Sequence, residues 1–142
     1  MVKAIQPEGL PPVIGAYSSA VQAGPWIYVS GQLPPSDEAR KRHVPKYGVV
    51  LRQLTPEEKK AEVLYILENI ERILAAAGGA RCDIVKTTVY LRDMSEFSSV
   101  NEAYSVFFAE PYPARVCIQV SGLPRNAWVE IDAIAFLTAS FQ

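Results

Sequence analysis

The sequence predicts an α+β fold, with one mainly antiparallel sheet and two helices packed on one of its faces. Three observations lead there. Two segments, near 55–77 and 95–108, carry apolar residues at helical spacing. Five others, at 16–22, 26–30, 83–92, 114–121 and 127–137, are alternating or rich in β-branched residues. The resulting order, β-β-loop-α-β-α-β-β, mixes the two kinds, and most strand neighbours read as hairpins.

The first fifteen residues are broken by Pro7, Pro11 and Pro12. They hold no apolar core of the length a secretory signal needs, and no run in the chain approaches the ~18 apolar residues of a membrane span. The expectation is a soluble cytoplasmic protein that does not engage a membrane. Residues 16–22 are expected to be extended. A turn at Ala23, Gly24 and Pro25 leads into the strand WIYVS, which Gly31 ends.

Residues 34–55, with three prolines and a charge cluster, read as an extended surface loop with a short strand around 48–52. Thr55, Pro56 and Glu58 then spell a helix start with a capping box. Val63, Ile66, Leu67, Ile70, Ile73 and Leu74 form its apolar face, and Gly78-Gly79 stops it. In the strand at 83–92, Val85, Thr87, Val89 and Leu91 should share one face, and Lys86, Thr88 and Tyr90 the other. A second helix starts near Ser95, with a stripe of Phe97, Val100, Tyr104, Phe107 and Phe108, and Pro111 and Pro113 prevent its continuation. The last two strands read as a hairpin around Gly122, Pro124 and Asn126. Helices on one face leave the other open, carrying Tyr, Trp and polar side chains; such a surface predicts a homo-oligomer.

Composition narrows function. With 142 residues, 49% apolar and 20% charged, the chain reads as one ordered domain, 1–142. A net charge of −1 disfavours a dedicated nucleic-acid binder. The basic run Arg40-Lys41-Arg42 is short and flanked by acids. Two cysteines without a C-x-x-C pair argue against a disulfide scaffold and a structural zinc site. One histidine, His43, in the loop, argues against His-pair and Cys-His chemistry.

Three polar residues stand in apolar company. Asn101 falls on the apolar stripe of its helix, as an amide bonded to nearby backbone or as an anchor for a binding loop. Arg115 begins a strand and shares a face with Cys117 and Gln119, opposite Val116, Ile118 and Val120. It is either one half of a salt bridge or a rigid fork for a carboxylate or phosphate. Glu130 shares a face with Trp128 and Asp132 in a nearly continuous apolar strand. It is either an ion-pair partner, for Arg115 or another subunit, or a base that orients a water. The hairpin register decides whether Arg115 and Glu130 share a face. Tyr17 reads as a packing residue. The Ser30-Gly31 pair could present backbone N–H groups to an anion or be a plain turn. A nucleophilic Cys117 is disfavoured because no histidine lies near it in sequence.

Several stretches together resemble the RidA reactive-intermediate deaminase family, also called YjgF or L-PSP. They are IGAYSSAV at 14–21, IYVSGQL at 27–33, LENIERILAAAG at 67–78, IVKTTVYLRDMSEFSSVNEAYSVFF at 84–108, PARVCIQVSGLP at 113–124 and VEIDAIA at 129–135. The resemblance implies a chorismate-mutase-like fold of the bacillus type and a homotrimer. In that trimer the sheets form a barrel and small-molecule clefts lie between subunits. It implies hydrolytic deamination of 2-imino and 2-enamino acids, such as 2-aminoacrylate and 2-iminobutyrate, to 2-keto acids and ammonia, without metal or organic cofactor.

Position by position, the resemblance makes Arg115 the clamp for the substrate carboxylate and Glu130 the group that orients or activates water. Cys117 would line the cleft, the Tyr17 hydroxyl would point into it, Ser30 and Gly31 would form its wall, and Asn101 would be a structural or near-site amide. The chain departs from the family pattern at Gly15-Ala16-Tyr17-Ser18-Ser19, at Glu62 and Tyr65, and in a loop at 34–55 that is about a dozen residues longer than usual. The alternatives are a pathway-specific relative with another substrate, a non-enzymatic small-ligand-binding module, and a ribonuclease or translation inhibitor. The net charge and the single histidine disfavour the last.

Overall fold

The computed structural model describes residues 1–36 and 54–138. The strand expected around 48–52, His43, the basic run at 40–42 and most of the long loop lie outside them.

Six strands and two α-helices are described: β1 Lys3–Ile5, β2 Ala20–Ala23, β3 Trp26–Gln32, α1 Pro56–Ala75, β4 Ile84–Leu91, α2 Phe97–Phe107, β5 Ala114–Gln119 and β6 Val129–Phe136. The strands form one sheet in the order β1-β2-β3-β6-β4-β5. β4 and β5 run parallel, and the other neighbours are antiparallel. The expected α+β architecture is present, with both helices on one face of a mainly antiparallel sheet. β1 is a strand that the proline-broken start of the chain did not announce.

The expected hairpin between the last two strands is absent. β4 lies between β5 and β6. The reason is the helix between β4 and β5: a β-α-β crossover sets its two strands side by side and parallel. β6 then takes antiparallel partners on both sides, β3 and β4. The step from β3 to β4 and the step from β4 to β5 cross the sheet in the same direction. Right-handed crossovers therefore put α1 and α2 on the same face. β5 is left at an edge.

Helix α1 begins as its sequence dictates. The Glu58 N–H donates to Thr55 Oγ1 at 3.2 Å, and the Thr55 N–H donates to Glu58 Oε1 at 3.3 Å. Its buried face holds Val63, Ile66, Leu67, Ile70, Ile73 and Leu74. Each such side chain is worth about 1.5–3 kcal/mol of burial. Helix α2 buries Val100, Ala103, Tyr104 and Phe107. Those positions follow i, i+3, i+4, i+7, so Asn101 falls one step off the stripe and is exposed. The expectation that it lies within the apolar stripe is corrected.

Two sheet details also differ. The β4–β6 register shifts between Ile84 and Lys86, and the irregularity turns Val85 out to solvent. Thr87, Val89 and Leu91 remain buried as expected. Trp128 precedes the regular alternation of β6. It packs against the core and donates its indole N–H to Glu62 of α1 at 2.9 Å, so it does not join Glu130 and Asp132.

The face away from the helices carries Trp26, Tyr28, Val116 and Ile118, all large apolar side chains left exposed. Lys86, Thr88, Tyr90, Glu130 and Asp132 run among them. No helix among the described residues is long and apolar enough to cross a membrane.

Candidate active site

Arg115 lies at the second position of edge strand β5. Its register partner on β4 is Thr87, which is buried beneath the helices. Paired residues point to the same side of a sheet, so Arg115 is on the helix side. There its guanidinium carbon stands 5.2 Å from the ring centroid of Phe97 and 4.9 Å from that of Tyr104. Both rings belong to α2. The Tyr104 hydroxyl and Thr87 Oγ1 are 2.8 Å apart and buried. Burial pushes the Tyr104 hydroxyl up to about 12, so it stays neutral. Among the described residues no carboxylate pairs with Arg115. The salt-bridge reading of this arginine therefore finds no partner there.

Cys117 shares the Arg115 face, opposite buried Val89. Burial pushes its thiol up, against the opposing pull of the Arg115 charge. A thiol held in its protonated form is a weak nucleophile. Gln119 accepts a hydrogen bond from the Met94 N–H at 2.9 Å, which ties the end of β5 to the turn before α2.

Glu130 is on the other side. Its β4 partner is Tyr90, and the next pair on that face is Asp132 with Thr88. The carboxylate is half-buried. Desolvation, and then the charge of Asp132, push it above the ordinary carboxylate range. Asp132 accepts a hydrogen bond from the Tyr90 hydroxyl at 2.9 Å. The in-chain ion pair between Glu130 and Arg115, one of the sequence readings, is excluded by the register: β4 stands between their strands, and they face opposite ways.

Ser30 and Gly31 fall where the β3–β6 register shifts, between Val29 and Gln32. Gly31 lets Glu130 lie against the backbone. A Cβ there would stand 2.8 Å from Glu130 Cδ and Oε1. The Ser30 hydroxyl donates to the Ser18 carbonyl at 2.6 Å, and the Ser30 N–H donates to the Ser19 carbonyl at 2.9 Å. These bonds fix the segment carrying Tyr17, whose ring is exposed and leans over Gly15. β3 continues through Gly31 to Gln32, so this pair is an irregularity within a strand, not its end.

The candidates thus fall into two groups. Ser30, Gly31, Glu130 and the Tyr17 segment are linked to one another. Arg115 and Cys117 form a second group at the edge of the sheet. Asn101 is exposed on α2 and joins neither. Sequence reasoning missed Phe97, Tyr104 and Thr87 as supports of Arg115. Their helical spacing was visible, but only the unforeseen parallel pairing of β4 with β5 brings Arg115 beneath them.

Fold and geometry define a class: a two-layer α+β subunit with a mixed sheet, an arginine at one edge with no carboxylate partner among the described residues, and a desolvated glutamate on the open face. The chain belongs to the RidA/YjgF/L-PSP family. The family model described as Endoribonuclease L-PSP matches residues 8–137. A RutC family protein of Pyrococcus horikoshii is 40% identical over 136 residues, covering 96% of this chain and 98% of the relative. The 2-iminobutanoate/2-iminopropanoate deaminase of Salmonella typhimurium is 38% identical over 138 residues, covering 95% and 98%. The crystal structure of RidA from Psychrobacter sp. PAMC 21119 superposes with a TM-score of 0.77 at 37% identity, covering 95% of this chain and 99% of that one.

Proposed function

We propose that the protein hydrolyses reactive 2-imino and 2-enamino acids, 2-iminobutyrate and 2-aminoacrylate among them, to 2-keto acids and ammonia. The observation that carries this reading is the Arg115 guanidinium, held against two rings with no carboxylate partner among the described residues. An arginine on a strand with no carboxylate partner among the described residues is a receptor for a planar anion, and a bidentate carboxylate fits its fork. The Salmonella relative's name supplies the reaction class.

The chemistry asks little of the protein. An enamine becomes an imine by taking a proton from solvent at C3, and an imine carbon is electrophilic, more so once its nitrogen is protonated. Arg115 holds the carboxylate. Glu130 accepts a proton from water as the water oxygen adds to C2. The resulting carbinolamine collapses when Glu130 returns that proton to its nitrogen, which leaves as ammonia, while the C2 hydroxyl gives its proton to solvent and becomes the keto group. Proximity and electrostatics carry such a step. Glu130, desolvated and beside Asp132, is more basic than an ordinary carboxylate.

Arg115 and Glu130 face opposite ways in one chain. The reading therefore places the edge-strand group of one subunit against the open-face group of a second copy. Exposed Tyr28, Val116 and Ile118 offer the apolar surface for that contact. A homotrimer with three equivalent clefts satisfies this arrangement. Cys117, Tyr17, Ser30 and Gly31 would line the cleft, and Asn101 would stand near it as a structural amide.

A coupled assay tests the activity. A threonine dehydratase generates 2-iminobutyrate, and imine loss and keto-acid appearance are followed with wild type and Arg115→Ala. Faster hydrolysis by wild type alone supports the reading. A folded wild type without effect overturns it in favour of another substrate or a ligand-binding role.

A further inference from the structure

We propose that Phe97 and Tyr104 are positioning residues for Arg115, and that their rings set the affinity of the site for the substrate carboxylate. The inference rests on reading Arg115 as the carboxylate clamp. Arginine is long and flexible, and a carboxylate that must order it loses affinity to that ordering. In this chain the ordering is done in advance. The guanidinium carbon sits 5.2 Å from the Phe97 centroid and 4.9 Å from the Tyr104 centroid, both within cation–π range. A guanidinium held over aromatic rings can still offer its N–H groups as a bidentate fork to a carboxylate.

The Tyr104 ring is fixed in turn. Its hydroxyl is engaged at 2.8 Å with Thr87 Oγ1, in a buried pair. Thr87 is the register partner of Arg115 itself, so one β4–β5 rung sets both the arginine and the tyrosine that supports it. With its hydroxyl engaged by Thr87 and kept neutral, Tyr104 meets Arg115 through its ring. Phe97 opens α2 directly after the turn that Gln119 of β5 holds at Met94. Strand β5 therefore positions both the arginine and the start of the helix that carries its shelf.

The test uses the full chain and 2-ketobutyrate, the product-side carboxylate, as the calorimetric probe. Kinetics on 2-iminobutyrate are measured in parallel. Arg115→Ala is expected to abolish measurable binding. Phe97→Leu and Tyr104→Leu are expected to weaken it about fivefold to tenfold, raising KM by a similar factor with kcat retained. Tyr104→Phe, which keeps the ring, should recover most of the loss seen with leucine. A general packing defect would not divide KM from kcat in this way, nor be rescued by phenylalanine. Phe97 is only half-buried, so Phe97→Leu decides the matter should Tyr104→Leu not fold. A folded Phe97→Leu with wild-type affinity and KM overturns the shelf and leaves the clamp standing. Wild-type affinity in Arg115→Ala overturns the clamp, and the shelf with it.

Discussion

Arg115 and Glu130 stand on opposite faces of one sheet, with β4 between the strands that carry them. Thr87 reports the side Arg115 takes, because its partner position is buried under the helices. Tyr90 reports the side of Glu130. Neither residue can reach the other's face without leaving its register, since a one-residue slip would turn every side chain of its strand to the other face, the buried ones of β6 included. A deaminase that uses both residues on one substrate therefore needs a second copy of the chain.

The open face should hold the copies together. Ile118 and Val116 of β5 are exposed there. Ile118→Asp puts a charge onto that apolar surface, and it is expected to lower the sedimenting mass and the deaminase activity together. Loss of activity with the assembly intact would show that Ile118 acts in some other way.

Gly31 should act through Glu130. An alanine Cβ would lie 2.8 Å from the Glu130 carboxyl carbon. Gly31→Ala is expected to push that carboxylate aside and lower kcat about tenfold to a hundredfold. The melting temperature should barely move, because Gly31 is exposed. Glu130→Asp, one methylene shorter, should regain part of the loss in the Gly31→Ala background. Glu130→Gln should remain inactive in both.

Glu130 also predicts a pH signature of defined sign. Desolvation, and then Asp132, raise its pKa in the folded chain above its value in the unfolded chain. The folded state thus prefers the protonated carboxyl. Its favourable contribution is present at acid pH, below the unfolded value, and is lost as pH rises through the folded value. Glu130→Gln should therefore raise the denaturation midpoint at neutral pH, with the advantage fading toward acid. The acid limb of the kcat/KM profile should lie above the ordinary carboxylate range. Asp132→Asn should move it to lower pH.

The capping box offers a stability control away from the site. Both reciprocal bonds between Thr55 and Glu58 are present. Thr55→Ala should cost about 1 kcal/mol in denaturant unfolding. Activity per folded molecule should stay the same.

Helix α1 could be read from the chain because its signals are local: a cap, a proline at the first turn, an apolar stripe and a glycine stop. The turn at Gly24-Pro25 was legible for the same reason, with Gly24 at φ 60°. What failed was non-local. The strands at 114–121 and 127–137 are adjacent in sequence and look like a hairpin, yet β4 separates them. Nothing in a period-2 pattern says which strand becomes the neighbour. The outward turn of Val85 and the exposure of Asn101 failed for smaller reasons, a register shift and a stripe centred on Val100 instead of Phe97. The identities of Arg115, Glu130 and Gly31 as candidates were available from residue type and family resemblance. Their division into two groups was not, because it depends on the strand order.

The shared cleft is open to a direct test by subunit complementation. If each cleft takes Arg115 from one chain and Glu130 from its neighbour, Arg115→Ala and Glu130→Gln chains are each inactive alone. When they are unfolded together, refolded at equal amounts and assayed on 2-iminobutyrate, some clefts join an intact Arg115 with an intact Glu130. Random mixing in a closed ring restores about a quarter of the sites. Activity near that level, absent from either variant refolded alone, is the predicted result. A mixed assembly as inactive as its parents would contradict the shared cleft.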